Sequence, residues 1–140
     1  MNLLEKAIAI ALHAHQGQLD RCGEPYILHP LRLMLQMETD AERMAAVLHD
    51  VVEDTALTLA DLEAEGFPQE VLEAVRLLTH DRSDHPYEQY VRTLKENPIA
   101  RKVKLADLQH NMDIRRLDGV QQTDLERLQR YRQAWETLRT

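Results

Sequence analysis

The sequence contains a single cysteine, Cys22, so no disulfide can form within its 140 residues. Small secreted domains that depend on several disulfides are therefore excluded. Glycine and proline are also scarce, with 4 and 5 residues, and aromatic residues make up 4% of the chain. This composition favours helices over a strand-rich sandwich, with Leu, Ala, Val and Ile filling most of the core.

The sequence also lacks long apolar runs and an excess of positive charge. The N-terminal segment has neither the basic start nor the cleavage site of a signal peptide, and its apolar run is too short to span a bilayer. The net charge of -7 argues against nucleic-acid or membrane partners. We expect a cytoplasmic protein, and the oligomeric state is not predicted. An anionic small substrate would need a metal ion or a local basic cluster.

Apolar residues recur at helical spacing along most of the chain, and no segment has the alternation of a strand. The pattern predicts one all-α domain, 1–140, of six or seven helices. Asp40 is a plausible N-cap for an apolar, central helix over 41–52. Asn97 and the proline after it are a start signal for a helix that ends near residue 112. Thr123 and Glu126 resemble a capping box for the last helix.

The segment HDVVED, residues 49–54, directly follows an apolar run and contains four ionisable side chains. On a continuous helix, His49, Asp50, Glu53 and Asp54 project from one broad arc. Burying several unpaired carboxylates is costly, and a divalent cation removes that cost. Histidine together with aspartate suits a metal such as Mn, Fe, Co or Zn.

A second polar group follows at Asp107, His110 and Asn111. Asp107 lies within an apolar run, which favours a functional role over a charge on a solvated helix. Lys104 and its basic neighbours at 101–102 either reach substrate phosphates or form a solvated face. His80, beside a polar loop, is expected to be an ordinary solvated residue.

Four stretches of the chain resemble motifs of the HD-domain hydrolases of the RelA/SpoT type, most closely their small stand-alone versions. The stretches are HAHQGQ at 13–18, GEPYILHP at 23–30, AAVLHDVVEDT at 45–55 and VKLADLQHNM at 103–112. They occur in the family's order and cover most of the chain. The resemblance implies an HD-domain helical bundle that removes the 3′-pyrophosphate from ppGpp and pppGpp with manganese or another divalent metal.

The resemblance also implies roles for individual residues. The expected metal ligands are His29, His49, Asp50 and Asp107. Glu53 and Asp54 match the pair that positions and activates the attacking water. Asn111 matches a residue of the nucleotide pocket, and Tyr26 lies beside the site.

One position departs from the family. A basic residue usually packs on the guanine base two positions after the Gln of the GQ motif, and here Asp20 stands there, with Arg21 next. An acid cannot replace a stacking guanidinium, so either Arg21 substitutes for it or the base pocket differs. We expect Asp20 to turn away or to pair with a basic residue. Two other functions remain open: hydrolysis of another nucleotide, such as an adenine alarmone or a nucleoside phosphate, and nucleotide binding without turnover.

Overall fold

A computed structural model describes residues 1–83 and 85–140. In these ranges the chain forms nine α-helices and one 3₁₀ helix, and no strand beyond an isolated bridge between Leu19 and Pro25. The prediction of an all-α fold is confirmed, but six or seven helices was too few. The elements are α1 (Leu3–Ala14), α2 (Leu28–Leu35), α3 (Asp40–Leu48), α4 (Val51–Asp54), α5 (Leu59–Ala64), α6 (Gln69–Leu78), α7 (Tyr87–Lys95), α8 (Pro98–Asn111), the 3₁₀ helix (Ile114–Arg116) and α9 (Gln122–Arg139).

Helix α3 lies at the centre of the bundle and packs against α1, α2, α6 and α8. Its last five residues, Met44 to Leu48, are all buried. Each fully buried Val or Leu side chain contributes roughly 1.5–3 kcal/mol. The carboxyl end of α3, which leads into His49 and Asp50, is therefore fixed by the core.

The predicted helix over 41–52 is wrong at both ends. It begins at Asp40, and Thr39 is the N-cap in a capping box with Glu42. It ends at Leu48, and α4 begins at Val51 after a turn in which Asp50 leaves helical geometry (φ -107°, ψ 0°). This interruption is one reason why the structure has more helices than predicted. It also changes the direction in which the polar side chains after Leu48 project.

Of the other two predicted helix starts, one agrees with the structure and one does not. Asn97 is the N-cap of α8, as predicted, and its side chain accepts from the Ala100 N–H. The predicted cap of the last helix is wrong, since Gln121 and Asp124 form the capping box of α9. Gln121 has the extended backbone that an N-cap needs, whereas Thr123 is already helical. Among the described helices, none has the length and apolar character required to cross a membrane.

Candidate metal centre and its cavity

Four side chains from separate parts of the chain face one another between α2, α3 and α8. His29 lies in α2, His49 and Asp50 follow α3, and Asp107 lies in α8. The ligand atoms of His29, His49 and Asp50 are within 4.8 Å of one another. Asp107 Oδ1 is 2.8 Å from His29 Nε2 and 3.6 Å from His49 Nε2. The structure therefore brings together all four residues predicted as metal ligands.

The orientation of His49 fits a cation among these four groups. Its Nδ1 donates to the Ala46 carbonyl oxygen at 2.7 Å, which leaves a lone pair on Nε2. This buried Nε2 has no hydrogen-bond partner, although Asp50 Oδ2 is 3.1 Å away. Burial opposes a charge on His49, yet the carboxylates of Asp50 and Asp107 outweigh it and raise its pKa well above the ordinary value. The site favours positive charge at this point, which a divalent metal would supply.

Asp107 is held in place by other residues of its own helix. Lys104 Nζ donates to Asp107 Oδ2 at 2.9 Å, and Asn111 Nδ2 donates to Oδ1 at 3.1 Å. Lys104 also lies 5.4 Å from the ring centroid of Tyr90. Burial disfavours the charged carboxylate, but Lys104 and the two histidines outweigh it and hold the pKa of Asp107 well below its ordinary value. The carboxylate is thus kept ionised and able to bind a cation.

Asp50 is oriented by the loop between α1 and α2. The Tyr26 hydroxyl donates to Asp50 Oδ2. The Tyr26 ring contacts the buried ring of His15, with centroids 4.8 Å apart. Tyr26, Lys104 and Asn111, which were predicted to contact substrate, all hydrogen-bond to the carboxylates of the centre. Their substrate contacts remain predictions.

Glu53 and Asp54 adjoin the four-residue centre at Asp50 and line the cavity over it. Asp50, Glu53 and Asp54 bring carboxylate oxygens within 4.8 Å of one another. Glu53 Oε1 accepts from the His80 backbone N–H at 2.6 Å. Burial, followed by the charge of Asp50, raises the pKa of Asp54, and burial is also the main cause of the raised pKa of Glu53. Raised pKa values suit groups that must take up a proton.

A cavity of about 580 Å³ opens over this centre, a volume within the usual range for small-ligand sites. Although the chain is acidic overall, six basic side chains line the cavity, and so do several tyrosines. These basic and tyrosine side chains are Arg21, Arg82, Lys104, Arg116, Arg127, Arg130, Tyr26, Tyr87, Tyr90 and Tyr131. The lining also contains six carboxylates, so its charge is mixed: Asp20, Asp50, Glu53, Asp54, Asp107 and Asp113. Four of the six basic side chains pair with a carboxylate: Arg82, Lys104, Arg116 and Arg127.

Asp20 pairs with a basic residue, as expected, and the partner is Arg116. Arg116 Nη2 lies 3.3 Å from Asp20 Oδ2, and Arg116 Nη1 donates to the His110 carbonyl oxygen. Asp20 Oδ1 accepts from the backbone N–H groups of Cys22 and Glu24. Arg21 lines the cavity and is exposed. Asp20 thus acts as a local cap for its loop.

Three residues around the cavity were not among the predicted site residues. His80 is partly buried, with its ring 4.5 Å from that of Tyr90, so the prediction of an ordinary solvated residue is wrong. Arg116 lines the cavity as well. His110 Nδ1 lies 2.6 Å from His29 Nδ1, on the side of that ring away from Asp107. The spacing of His110, three residues after Asp107, was the available signal for this contact.

The charge state of His110 follows from its surroundings. Burial, followed by the positive charges of His29, Arg116 and Arg32, lowers the pKa of His110 to about 4. Its ring is therefore neutral near pH 7.

Comparison with known proteins gives relatives that are named as (p)ppGpp hydrolases or as GTP pyrophosphokinases. No family model matches the sequence. The bifunctional (p)ppGpp synthase/hydrolase SpoT of Escherichia coli K12 is 36% identical over 123 residues, which cover 78% of this chain and 17% of that protein. The guanosine-3′,5′-bis(diphosphate) 3′-pyrophosphohydrolase of Vibrio cholerae gives the same identity and coverage. The chain therefore spans about a sixth of the length of these relatives.

A solved structure is similar over almost the whole chain. It is that of a metazoan SpoT orthologue, described as hydrolysing ppGpp, with a TM-score of 0.77 and 26% sequence identity. The likeness covers 99% of this chain and 86% of the metazoan chain. By sequence and by fold, the chain belongs to the HD-domain family that includes these SpoT-type proteins.

Proposed function

We propose that this chain is a metal-dependent phosphohydrolase that removes the 3′-pyrophosphate from (p)ppGpp. The convergence of His29, His49, Asp50 and Asp107 beneath a cavity with several basic side chains in its lining is the observation that carries the proposal. Relatives named for this activity support it. A cytoplasmic location and a nucleotide as the binding partner belong to the same proposal.

The four convergent side chains would hold one divalent cation, and we propose Mn²⁺. Two imidazole nitrogens and two carboxylate oxygens suit a borderline-to-hard metal. When bound, the cation lowers the pKa of a coordinated water and offsets negative charge on phosphoryl oxygens. Lys104 and Tyr26 keep Asp107 and Asp50 in place by hydrogen bonds to the carboxylate oxygens.

Glu53 and Asp54 are proposed to orient the attacking water and accept its proton. The His80 N–H fixes Glu53 by binding Oε1. Asp54 is the more exposed of the two and faces the opening. Substrate phosphates are expected to contact Arg21, Lys104 and Asn111, which line the cavity beside the centre.

Hydrolysis of a different nucleotide is the second candidate, and it rests on Asp20. Asp20, which pairs with Arg116, stands at the sequence position where the resemblance implies a basic platform for guanine. Glu53 and Asp54 argue against binding without turnover, because a protein that only binds nucleotides has no need for a water-activating pair.

A turnover assay tests both candidates. The chain, loaded with Mn²⁺ after chelation, is incubated with ppGpp, pppGpp, their adenine counterparts and simple nucleoside phosphates. We expect pyrophosphate release from the 3′-pyrophosphorylated nucleotides, and none in excess chelator. If the chain hydrolyses only the simple nucleoside phosphates, the first candidate is contradicted and the second is supported. If it hydrolyses no member of the panel, both candidates are contradicted.

A further inference from the structure

His29 uses both of its ring nitrogens, and they face in different directions. Nε2 faces Asp107 Oδ1 at 2.8 Å, within the candidate metal centre. Nδ1 faces His110 Nδ1 at 2.6 Å. In the described ranges, His110 is the hydrogen-bond partner that the structure gives to His29 Nδ1. The proton between these two rings can therefore belong to His29 Nδ1 or to His110 Nδ1.

The two rings lie edge to edge, as a hydrogen bond between ring nitrogens requires. Their centroids are 4.9 Å apart and their planes differ by 14°. In each ring, the nitrogen lies at a fixed distance from the centroid. The 2.6 Å between the nitrogens plus these two fixed distances add up to about the 4.9 Å between the centroids. Both nitrogens must then lie on the line between the centroids, so the rings are nearly coplanar. One proton shared along this line satisfies both nitrogens.

A metal at His29 Nε2 permits one of the two possible proton positions. A neutral imidazole carries one proton, and the nitrogen that binds a metal must offer a lone pair. The His29 proton must then be on Nδ1, which makes His110 Nδ1 the acceptor and puts the His110 proton on Nε2. Histidine ligands of metals generally donate their second N–H to a neighbouring acceptor, which fixes the tautomer and the ring rotation.

Helix α8 holds His110 in the position that this role needs. His110 follows Asp107 by three residues, so both side chains lie on the face of α8 directed at α2. The His110 backbone carbonyl accepts from Arg116 Nη1 at 3.0 Å, which ties the end of the helix to the segment that follows.

We propose that His110 is a positioning residue for His29: by accepting the Nδ1 proton, it holds the imidazole with the Nε2 lone pair directed at the metal. This inference rests on the proposed function only in requiring a metal at the centre. It does not depend on which nucleotide is hydrolysed.

Metal affinity gives the first test. Mn²⁺ binding to the chelator-treated chain is measured by calorimetry for the native protein, His110→Leu, His110→Gln and His13→Leu. His13 is exposed on α1, which makes His13→Leu a matched control. We expect affinity to fall by roughly 10–100-fold in His110→Leu, the usual effect of losing such a partner. Gln can accept a hydrogen bond, so His110→Gln should recover part of the loss.

Native-like affinity in His110→Leu would overturn the inference. A native chain that binds Mn²⁺ but hydrolyses no nucleotide would instead contradict only the proposed function.

The protonation of His29 gives a second test that needs no variant and would settle the matter if His110→Leu failed to fold. In the native chain with diamagnetic Zn²⁺, long-range ¹H–¹⁵N spectra should show the His29 proton on Nδ1 and the His110 proton on Nε2. If His110 had only a structural role, the His29 proton would not have to be on Nδ1 or the His110 proton on Nε2. A His110 ring protonated on Nδ1 in the Zn²⁺-bound protein would overturn the inference.

Discussion

Lys104 Nζ lies 2.9 Å from Asp107 Oδ2, and the side chains are only 13% and 7% exposed. Removing one member of a buried ion pair leaves the other charge uncompensated, at a cost of about 3–5 kcal/mol. His29 and His49 still face Asp107 in Lys104→Met, so we expect this variant to lower the free energy of unfolding in chelator by less, on the order of 1–3 kcal/mol. The loss should be smaller with saturating Mn²⁺, because a cation at the centre also compensates Asp107.

Urea denaturation with and without Mn²⁺ measures both effects. Lys102→Met is the control, since Lys102 is more exposed and pairs with Glu38 and Glu42 away from the centre. It should cause a small loss that Mn²⁺ does not change. Equal losses for Lys104→Met in the two conditions would show that the cation does not compensate Asp107.

Glu53 should reduce stability at neutral pH. Burial raises its pKa above the ordinary value of 4.5, so the unfolded chain loses this proton at a lower pH than the native chain. The native state is therefore progressively disfavoured as pH rises above 4.5 and through the raised pKa. Glu53→Gln keeps an acceptor for the His80 N–H and removes the charge. We expect it to be more stable than the native protein at pH 7 in chelator.

This advantage should vanish as the pH falls well below 4.5, where Glu53 is protonated in both states. Chemical denaturation at several pH values measures it. A Glu53→Gln variant less stable than the native protein at pH 7 would contradict the expected sign.

The proposed division between metal binding and water activation predicts two kinds of variant. Glu53→Gln and Asp54→Asn should keep Mn²⁺ while kcat falls on the order of 10²–10⁴, the usual effect of losing a general acid–base group. Asp107→Asn should lose both the metal and activity. Metal content by elemental analysis, measured alongside turnover, separates the two kinds. Equal metal loss in all three variants would argue against the division.

Asp20 predicts weaker guanine selectivity than in the family at large. It bonds Arg116 and caps its own loop, so it offers no platform for a base. The measurement is kcat/KM for guanine and adenine 3′-pyrophosphorylated nucleotides in the native chain and in Asp20→Arg, which should shift the ratio toward guanine. Asp20→Asn, which keeps an acceptor for the Cys22 and Glu24 N–H groups, controls for the loop. A strong guanine preference in the native chain, unchanged in Asp20→Arg, would exclude this explanation.

The sequence predicted the composition of the centre better than its geometry. His29, His49, Asp50 and Asp107 could be named because the motifs that contain them resemble those of the RelA/SpoT-type hydrolases. For the 49–54 segment and for Asp107, the neighbouring apolar run also favoured a functional role. The break at Asp50 could not be predicted, because the apolar pattern continues to Val52 with no glycine or proline to mark a stop.

The contacts between distant segments were the hardest features of the site to predict from the sequence. His110 meets His29 across 81 residues, and Arg116 meets Asp20 across 96. The spacing of His110 after Asp107 places both on one face of α8, but it does not identify His29 as the partner, and no local pattern indicates the pair of Asp20 and Arg116. These contacts depend on how α2 and α8 pack, which only the folded structure defines.

The candidate centre also couples metal binding to the stability of the fold. A cation held by His29 and Asp107 would join two positions 78 residues apart, in a protein whose one thiol can form no internal cross-link. Because the ligands converge only in the folded chain, a bound cation stabilises the native state over the unfolded state. Chelation would therefore increase the unfolded fraction and make the chain more susceptible to proteolysis as well as inactive.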